Sequence, residues 1–133
     1  MGFKGAFEKS EILVKKIDLH IHTVPTISDS HFTFSLDAFR EYVQAAKLDA
    51  VAITNHNVFH ADQFREIEAA LGIVVFPGIE VDVGNGHVLI MSSASDLDDF
   101  DGKAAQVSKR ITKPGESMSI EELKKIYGDL RKV

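Results

Sequence analysis

The sequence predicts an α/β domain whose strands are mostly parallel. Two segments, Ala50–Thr54 and Ile73–Phe76, are short and almost wholly apolar, as strands are when a sheet is covered by helices and buried on both faces. Amphipathic segments with helical periodicity alternate with the strands, an order that favours parallel strands joined by right-handed crossovers. At 133 residues the chain is long enough to be one domain, or part of one.

Composition and charge exclude several classes of protein. Hydrophobic residues make up 44% and charged residues 26% of the chain, so a folded domain is expected rather than disorder. The net charge of −5 argues against a large surface for nucleic-acid phosphates. No cysteine is present, so a metal site has to use His, Asp and Glu. No apolar run approaches the roughly 20 residues of a membrane span, and Met1–Ser10 lacks a signal-peptide core, so we expect a cytoplasmic protein without a membrane partner.

The first strand, Ile17–Ile21, alternates polar and apolar residues and carries the first candidate site. On a regular strand, Asp18, His20 and His22 would share one face, opposite the three apolar residues. Two imidazoles two residues apart, preceded by a carboxylate, supply the nitrogen and oxygen ligands that a divalent metal ion needs. A half-exposed strand with solvent-facing histidines is the alternative, and the pair alone does not decide between them.

A loop and a helix are expected next. Val24–Phe34 is rich in loop-forming residues and carries two further possible ligands, Asp29 and His31. These two could equally cap a turn and face the solvent. Ser35 can cap a helix that runs to about Lys47, whose apolar stripe indicates core packing.

The second strand leads into another candidate ligand. Polar residues after Ala50–Thr54 stand at the carboxyl end of a buried parallel strand, where α/β proteins place their ligand groups. His56 is therefore a stronger candidate than His60, which lies at or before the start of the next helix. That helix is expected over Asp62–Ala70, with Gly72 as its stop.

A predicted hairpin adds two more candidates. A turn at Pro77-Gly78 is expected to lead into an alternating strand on which Glu80 and Asp82 share one face. The following Gly-Asn-Gly predicts a tight turn, after which His87 begins the returning strand. The hairpin could therefore bring Glu80 or Asp82 close to His87.

The remaining segments suggest structure rather than chemistry. The acidic run Asp96–Asp101 is expected to be a solvated loop or a helix N-terminus, and Gly102–Ile111 a short helix. Ser119–Glu122 is a capping box that opens another helix. A further strand would begin at Arg131–Val133, and Met1–Ser10 is expected to be an arm or a frayed terminus.

The candidate ligands lie in motifs that closely resemble those of the PHP (polymerase and histidinol phosphatase) family of metal-dependent phosphoesterases. The three motifs come in the family's order across residues 17–91. They are Asp18-Leu19-His20-Ile21-His22-Thr23, Ile53-Thr54-Asn55-His56-Asn57, and Pro77-Gly78-Ile79-Glu80-Val81 followed by Gly86-His87-Val88-Leu89. One departure is Asn55, where the family has an aspartate that brings a charge. The resemblance implies a distorted seven-stranded β/α barrel of TIM-like type, of which residues 1–133 would lack the C-terminal strands.

The resemblance also implies a cluster of two or three divalent ions (Zn, Mn or Fe) at the mouth of the barrel. His20 and His22 would hold one ion together with Glu80, and these three residues would be the catalytic ones. Glu80 would bridge to a second ion that His87 helps to position, and His56 would serve a third. The implied metal ligands are His20, His22, Asp29, His31, His56, Glu80 and His87, with Asp29 and His31 as alternatives for one loop position.

By this resemblance the reaction is hydrolysis of a phosphoric ester by a metal-activated water. Bound ions lower the pKa of a bridging water toward about 7 and neutralise the phosphate oxygens. The substrate would be a phosphorylated small molecule or a nucleic-acid end. An amidohydrolase-type barrel also opens with His-x-His, but the Pro-Gly-Ile-Glu segment with His87 favours the phosphoesterase, and no lysine stands at a strand end.

The family's later ligands, a His after the next strand and a final Asp-x-His, are absent from the sequence. The alternative function is therefore a catalytically incomplete metal-binding or structural module of a multidomain protein. A partial barrel would leave an open sheet edge, which tends to pair with another chain. We therefore expect a homo-oligomer or a C-terminal partner domain.

Overall fold

The computed structural model describes residues 14–130, and the expectations for Met1–Ser10 and Arg131–Val133 lie outside this part. Within it, the strands are β1 (Ile17–Ile21), β2 (Ala50–Ile53), β3 (Val74–Val83) and β4 (Gly86–Met91). The helices are α1 (Leu36–Ala46), α2 (Ala61–Leu71), α3 (Leu97–Arg110) and α4 (Ile120–Tyr127), with a short 3₁₀ turn over Ala94–Asp96. No helix among the described residues is both long and apolar enough to cross a membrane.

The strands form one curled sheet in the order β1-β2-β3-β4. β1 pairs with β2 and β2 with β3 in parallel, whereas β3 and β4 form an antiparallel hairpin. The prediction of an α/β fold with mostly parallel strands and one hairpin is therefore confirmed, and the curled sheet is consistent with part of a barrel.

One face of the sheet, here called the outer face, is covered by the helices in two hydrophobic clusters. The cluster under α1 and α2 contains Phe39, Val43, Leu48, Val51, Ile53, Phe64, Ile67 and Val75. The cluster under α3 and α4 contains Ile79, Val81, Ile90, Phe100, Ala104, Val107, Ile111, Met118, Leu123 and Tyr127. Each fully buried aliphatic or aromatic side chain contributes about 1.5–3 kcal/mol, so these contacts hold the helices on the outer face. The opposite, inner face carries the candidate site.

The helices begin and end where local chemistry places them. The Ser35 hydroxyl accepts a hydrogen bond from the Ala38 N–H at the start of α1, and Gly72 ends α2 with φ +66°, as expected. The capping box of Ser119 and Glu122 opens α4. The acidic run forms the start of α3, where Asp96 caps the helix, because carboxylates are stabilised at a positive helix end. This helix is therefore longer than the segment predicted for it.

The turn expected at Pro77-Gly78 is wrong, because β3 passes straight through these residues. Pro77 is paired with Ile53 of β2, and its carbonyl accepts a hydrogen bond from the Ser92 N–H. A Cβ at Gly78 would lie 2.8 Å from the Ile53 carbonyl oxygen and 2.8 Å from Thr54 Cγ2. The glycine allows two strands to approach closely, and Glu80 consequently lies inside a long strand.

The regular alternation expected for β1 is also wrong. Asp18 pairs with Val51, but Ile21 pairs with Ile53, so β1 holds one extra residue between the two pairs. Such a bulge turns the following side chains to the other face. Asp18 accepts a hydrogen bond from the Tyr42 hydroxyl of α1 at 2.6 Å, and Ile21 packs into the cluster under α1 and α2. Asp18 therefore does not share a face with the two histidines.

Candidate metal centre

Backbone pairing beyond β2 brings His56 beside Glu80. The Glu80 N–H donates to the Asn55 carbonyl at 2.9 Å, and the Asn57 N–H donates to the Glu80 carbonyl at 2.8 Å. His56 and Glu80 thereby form an isolated parallel bridge that continues the β2–β3 ladder. Residues paired in this way place their side chains next to each other on one face of the sheet.

Four imidazoles converge on the carboxylate of Glu80. Glu80 is buried, with 3% of its surface exposed. Glu80 Oε1 lies 2.9 Å from His20 Nε2, 2.8 Å from His22 Nε2 and 3.5 Å from His56 Nδ1. The other oxygen, Oε2, lies 3.3 Å from His87 Nδ1. The side chains come from β1, the loop after β1, the segment after β2, β3 and β4. We call these five residues together with Asp29 and Asp82 the ligand cluster.

The electrostatics of the cluster keep Glu80 anionic. Burial by itself raises the pKa of the Glu80 carboxyl, but the hydrogen bonds from His20 and His22 and the charges of His56 and His20 lower it, and the net pKa lies below the ordinary value. A buried carboxylate is costly unless it is paired and hydrogen-bonded, and here the imidazoles meet that requirement. The carboxylate therefore has the charge that a bridging metal ligand needs.

Of the two alternative loop ligands, the structure brings Asp29 to the cluster. Asp29 Oδ2 lies 3.3 Å from His22 Nδ1, while Oδ1 accepts a hydrogen bond from the Thr26 N–H and so holds the loop. His31 is exposed, and so is His60 at the N-cap of α2. Neither histidine belongs to any group of three potential ligands formed by residues 14–130.

Three groups of potential metal ligands are present among residues 14–130, and within each group the donor atoms lie within 4.8 Å of one another. They are His20, His22 and Glu80; His22, Asp29 and His56; and His56, Asp82 and His87. His56 Nδ1 is buried and has no hydrogen-bond partner among the described residues. A buried polar atom without a partner costs about 1–3 kcal/mol of folding free energy. Binding of a metal ion by the lone pair of His56 Nδ1 would remove this cost. The donor set and this orphaned nitrogen fit a divalent metal ion.

Asp82 did not enter the sequence-based ligand set, although its approach to His87 was one of two expected contacts. In the hairpin register Asp82 stands directly opposite His87. His87 Nδ1 lies 2.7 Å from Asp82 Oδ1 and 3.3 Å from Glu80 Oε2, so both carboxylates reach it. The two-residue length of the Gly84-Asn85 turn is the signal that could have set this register from the sequence.

Asn55 acts as a structural link rather than as a charge in the cluster. Its Oδ1 accepts hydrogen bonds from the Thr23 N–H at 2.7 Å and the Val24 N–H at 3.0 Å, and its Nδ2 donates to Thr23 Oγ1. The side chain thus connects the segments that follow β1 and β2. It holds the backbone immediately after His22 in place.

No family model and no curated protein matches this chain. A protein from Bifidobacterium adolescentis assigned as a metal-dependent phosphoesterase superposes with a TM-score of 0.49 and 23% identity over 73% of this chain and 34% of its own. A two-domain protein from Bacteroides vulgatus, containing a domain assigned as PHP-like metal-dependent phosphoesterase, gives 0.45 and 23% over 71% and 32%.

The chain spans about a third of the length of these two neighbours. Such similarity does not transfer an activity. The function of this chain therefore has to be argued from its own residues.

Proposed function

We propose that the chain is the ligand-bearing part of a PHP-type metal-dependent phosphoesterase, which hydrolyses a phosphoric ester with a metal-activated water. The observation that carries the proposal is the convergence of four imidazoles on the buried carboxylate of Glu80. The order of the three motifs along the sequence supports it. In this proposal the curled sheet is the first part of a distorted seven-stranded β/α barrel.

The proposed roles follow from the geometry of the cluster. His20 and His22 would hold one ion together with Glu80, since all three donors lie within 4.8 Å. Asp29, at 3.3 Å from His22 Nδ1, would take the loop position and fix the ring of His22, as carboxylates commonly do for metal-bound histidines. When bound, divalent ions such as Zn, Mn or Fe supply an activated water and neutralise phosphate oxygens.

Charge supports metal dependence in this proposal. Glu80, Asp29 and Asp82 place three carboxyl groups around the histidines, and such a site would repel a phosphate dianion without added positive charge. Bound metal ions would reverse the local sign. The substrate class we propose is a phosphorylated small molecule or a nucleic-acid end.

The exposure of two ligands favours a second candidate function, a metal-binding module that does not turn over substrate. The side chains of His20 and His87 are 51% and 53% exposed, so the cluster is open toward solvent on both flanks. Each ligand group in residues 14–130 offers three donor atoms, which leaves coordination positions for ligands from elsewhere. In this version a partner domain or a second copy completes the site.

The test is to strip the purified protein with a chelator, reload it separately with Mn²⁺, Zn²⁺ and Fe²⁺, and measure bound metal and hydrolysis of p-nitrophenyl phosphate. We expect metal-dependent hydrolysis that falls by more than about 100-fold in His20→Ala. His60→Ala is the matched control, because this exposed histidine lies outside the ligand groups. Hydrolysis that His20→Ala leaves unchanged would contradict the proposal, and metal binding without hydrolysis would favour the second candidate.

A further inference from the structure

We propose that Asp82 is a metal ligand, and that with His56 and His87 it holds an ion at a position separate from the ion of His20, His22 and Glu80. The inference deepens the proposed function and rests on its metal centre. It adds a residue that the motifs do not contain, and it states how the ligand cluster divides between two ions.

The hairpin and the segment after β2 together create the second position. Asp82 and His87 are directly opposite each other in the β3–β4 register, and opposed residues of antiparallel strands share a face. His56 is held beside β3 by the backbone bonds of its neighbours to Glu80. One donor atom from each of Asp82, His87 and His56 lies within 4.8 Å of the others.

The donor atoms are unsatisfied in the way that a coordination site requires. Asp82 Oδ1 and His56 Nδ1 are both buried, and neither has a hydrogen-bond partner among the described residues. Asp82 Oδ1 contacts His87 Nδ1 at 2.7 Å without forming an aligned hydrogen bond. A buried carboxylate oxygen that is not used in a hydrogen bond has its lone pairs available to an ion.

Asn57 orients the carboxylate of Asp82. Asn57 Nδ2 donates to Asp82 Oδ2 at 3.0 Å, and the Asp82 N–H donates to Asn57 Oδ1 at 2.9 Å. The buried Asn57 has a φ of +58°, a left-handed conformation that asparagine tolerates better than most residues. One carboxylate oxygen is thus occupied by the amide, while Oδ1 faces the two histidines. Such supporting hydrogen bonds are typical of the residues that position metal ligands.

The two oxygens of Glu80 together reach both proposed ion positions. Oε1 lies within 2.9 Å of His20 and His22 and 3.5 Å from His56, and Oε2 lies 3.3 Å from His87. Donors of one tetrahedral ion at about 2.0–2.2 Å are themselves about 3.3–3.6 Å apart, a spacing that the contacts of Glu80 with His56 and His87 match. The shorter contacts with His20 and His22 have hydrogen-bond lengths. The geometry therefore allows Glu80 to border both ions, with Asp82 supplying the carboxylate that belongs to the second ion.

The test counts metal ions instead of turnover. The metal-free chain is titrated with Co²⁺, following the visible absorption of the bound ion, and bound metal is quantified after desalting. We expect two equivalents for the wild type and one for Asp82→Asn, which keeps the shape and can keep the Asn57 contact. His20→Ala should also bind one equivalent. Its absorption spectrum should be that of the ion at Asp82, which is the ion lost in Asp82→Asn. The double variant should bind none.

Asp37→Asn is the matched control, because this exposed aspartate on α1 lies outside the ligand groups. Circular dichroism checks each fold, and Asp82→Ser replaces Asp82→Asn if the latter does not fold. Two equivalents in the folded Asp82 variant, with affinities within threefold of wild type, would overturn the inference, as would a wild type that binds fewer than two ions. A protein that binds two ions as expected but hydrolyses no phosphoester would contradict the proposed activity and leave the role of Asp82 standing.

Discussion

The two ends of the inner face of the sheet differ in chemistry although the same strands build both. At the end where the parallel strands finish, the face carries the ligand cluster. At the other end, apolar side chains surround a depression of about 340 Å³. Its lining comprises Ile17, Leu19, Phe76, Met91, Ser92 and Ser93. Ile17 is 54% exposed there, whereas Glu80 in the cluster is 3% exposed.

Strand β3 shows the contrast most directly. Its inner-face residues alternate along the strand, from Val74 and Phe76 through Gly78 to Glu80 and Asp82. The apolar residues precede the glycine and the carboxylates follow it. Glu80 is buried and accepts hydrogen bonds from His20 and His22, whereas Val74 remains 55% exposed. Imidazoles therefore surround the carboxylates at the polar end of this face, whereas no described residue covers the apolar end.

Exposed apolar surface of this kind often marks an interaction site. The expectation of a homo-oligomer or a partner domain stays a prediction. A second copy or a partner domain would contact the sheet at this apolar end. Substitutions at the two ends should therefore differ in their effects on metal binding and on stability.

Glu80→Gln should have the largest effect, because it removes the charge on which four histidines converge. Glutamine keeps the shape but cannot bridge cations, so we expect metal affinity to fall by more than about 100-fold, or about 2.7 kcal/mol. Thermal unfolding with Mn²⁺ and with chelator measures this, since a ligand that binds the folded state raises Tm. A metal-induced rise in Tm as large as that of wild type would contradict the assignment of Glu80.

Gly78→Ala tests the boundary between the two ends. The new Cβ would lie 2.8 Å from the Ile53 carbonyl oxygen of β2, 2.8 Å from Thr54 Cγ2 just after it, and 3.2 Å from the Ile90 carbonyl oxygen of β4. Overpacking of this kind costs about 1–3 kcal/mol, and we expect that loss in the free energy of unfolding in urea. Gly102→Ala in α3 is the control, because its Cβ would have no neighbour within 4 Å and alanine favours a helix. Equal stabilities of the two variants would contradict the close approach at Gly78.

Ile17→Ser should have the smallest effect, because its side chain at the apolar end is largely exposed. We expect a loss below about 1 kcal/mol in the free energy of unfolding, independent of protein concentration. Urea unfolding at two widely separated concentrations measures this. A larger loss that grows with concentration would show that a second copy covers the apolar end.

Much of the site could be predicted from residue types and local patterns. Caps and apolar stripes located the helices, and the runs after β1 and β2 supplied His20, His22 and His56, which the structure brings to one place. Glu80 was predicted on the correct face of its strand, although the turn before it was wrong. The positions of these residues could be predicted because they depend on local conformation and on the direction of parallel strands, while their roles as ligands stay predictions.

Three features of the site required the tertiary structure. Because of the bulge in β1, Asp18 contacts Tyr42 and lies on the face opposite the histidines. Alternation of polar and apolar residues with a period of two does not show where a strand contains an extra residue. The path of the loop brings Asp29 rather than His31 beside His22 and into a ligand group with His56.

The third feature is Asp82, which reaches His87 through the hairpin register and is oriented by Asn57 from another strand end. The helices, most of the strands and the kinds of ligand available could thus be predicted from the sequence, because they depend on neighbours along the chain. Which ligands meet follows from strand register and from close approaches such as the one at Gly78, and local patterns do not contain these.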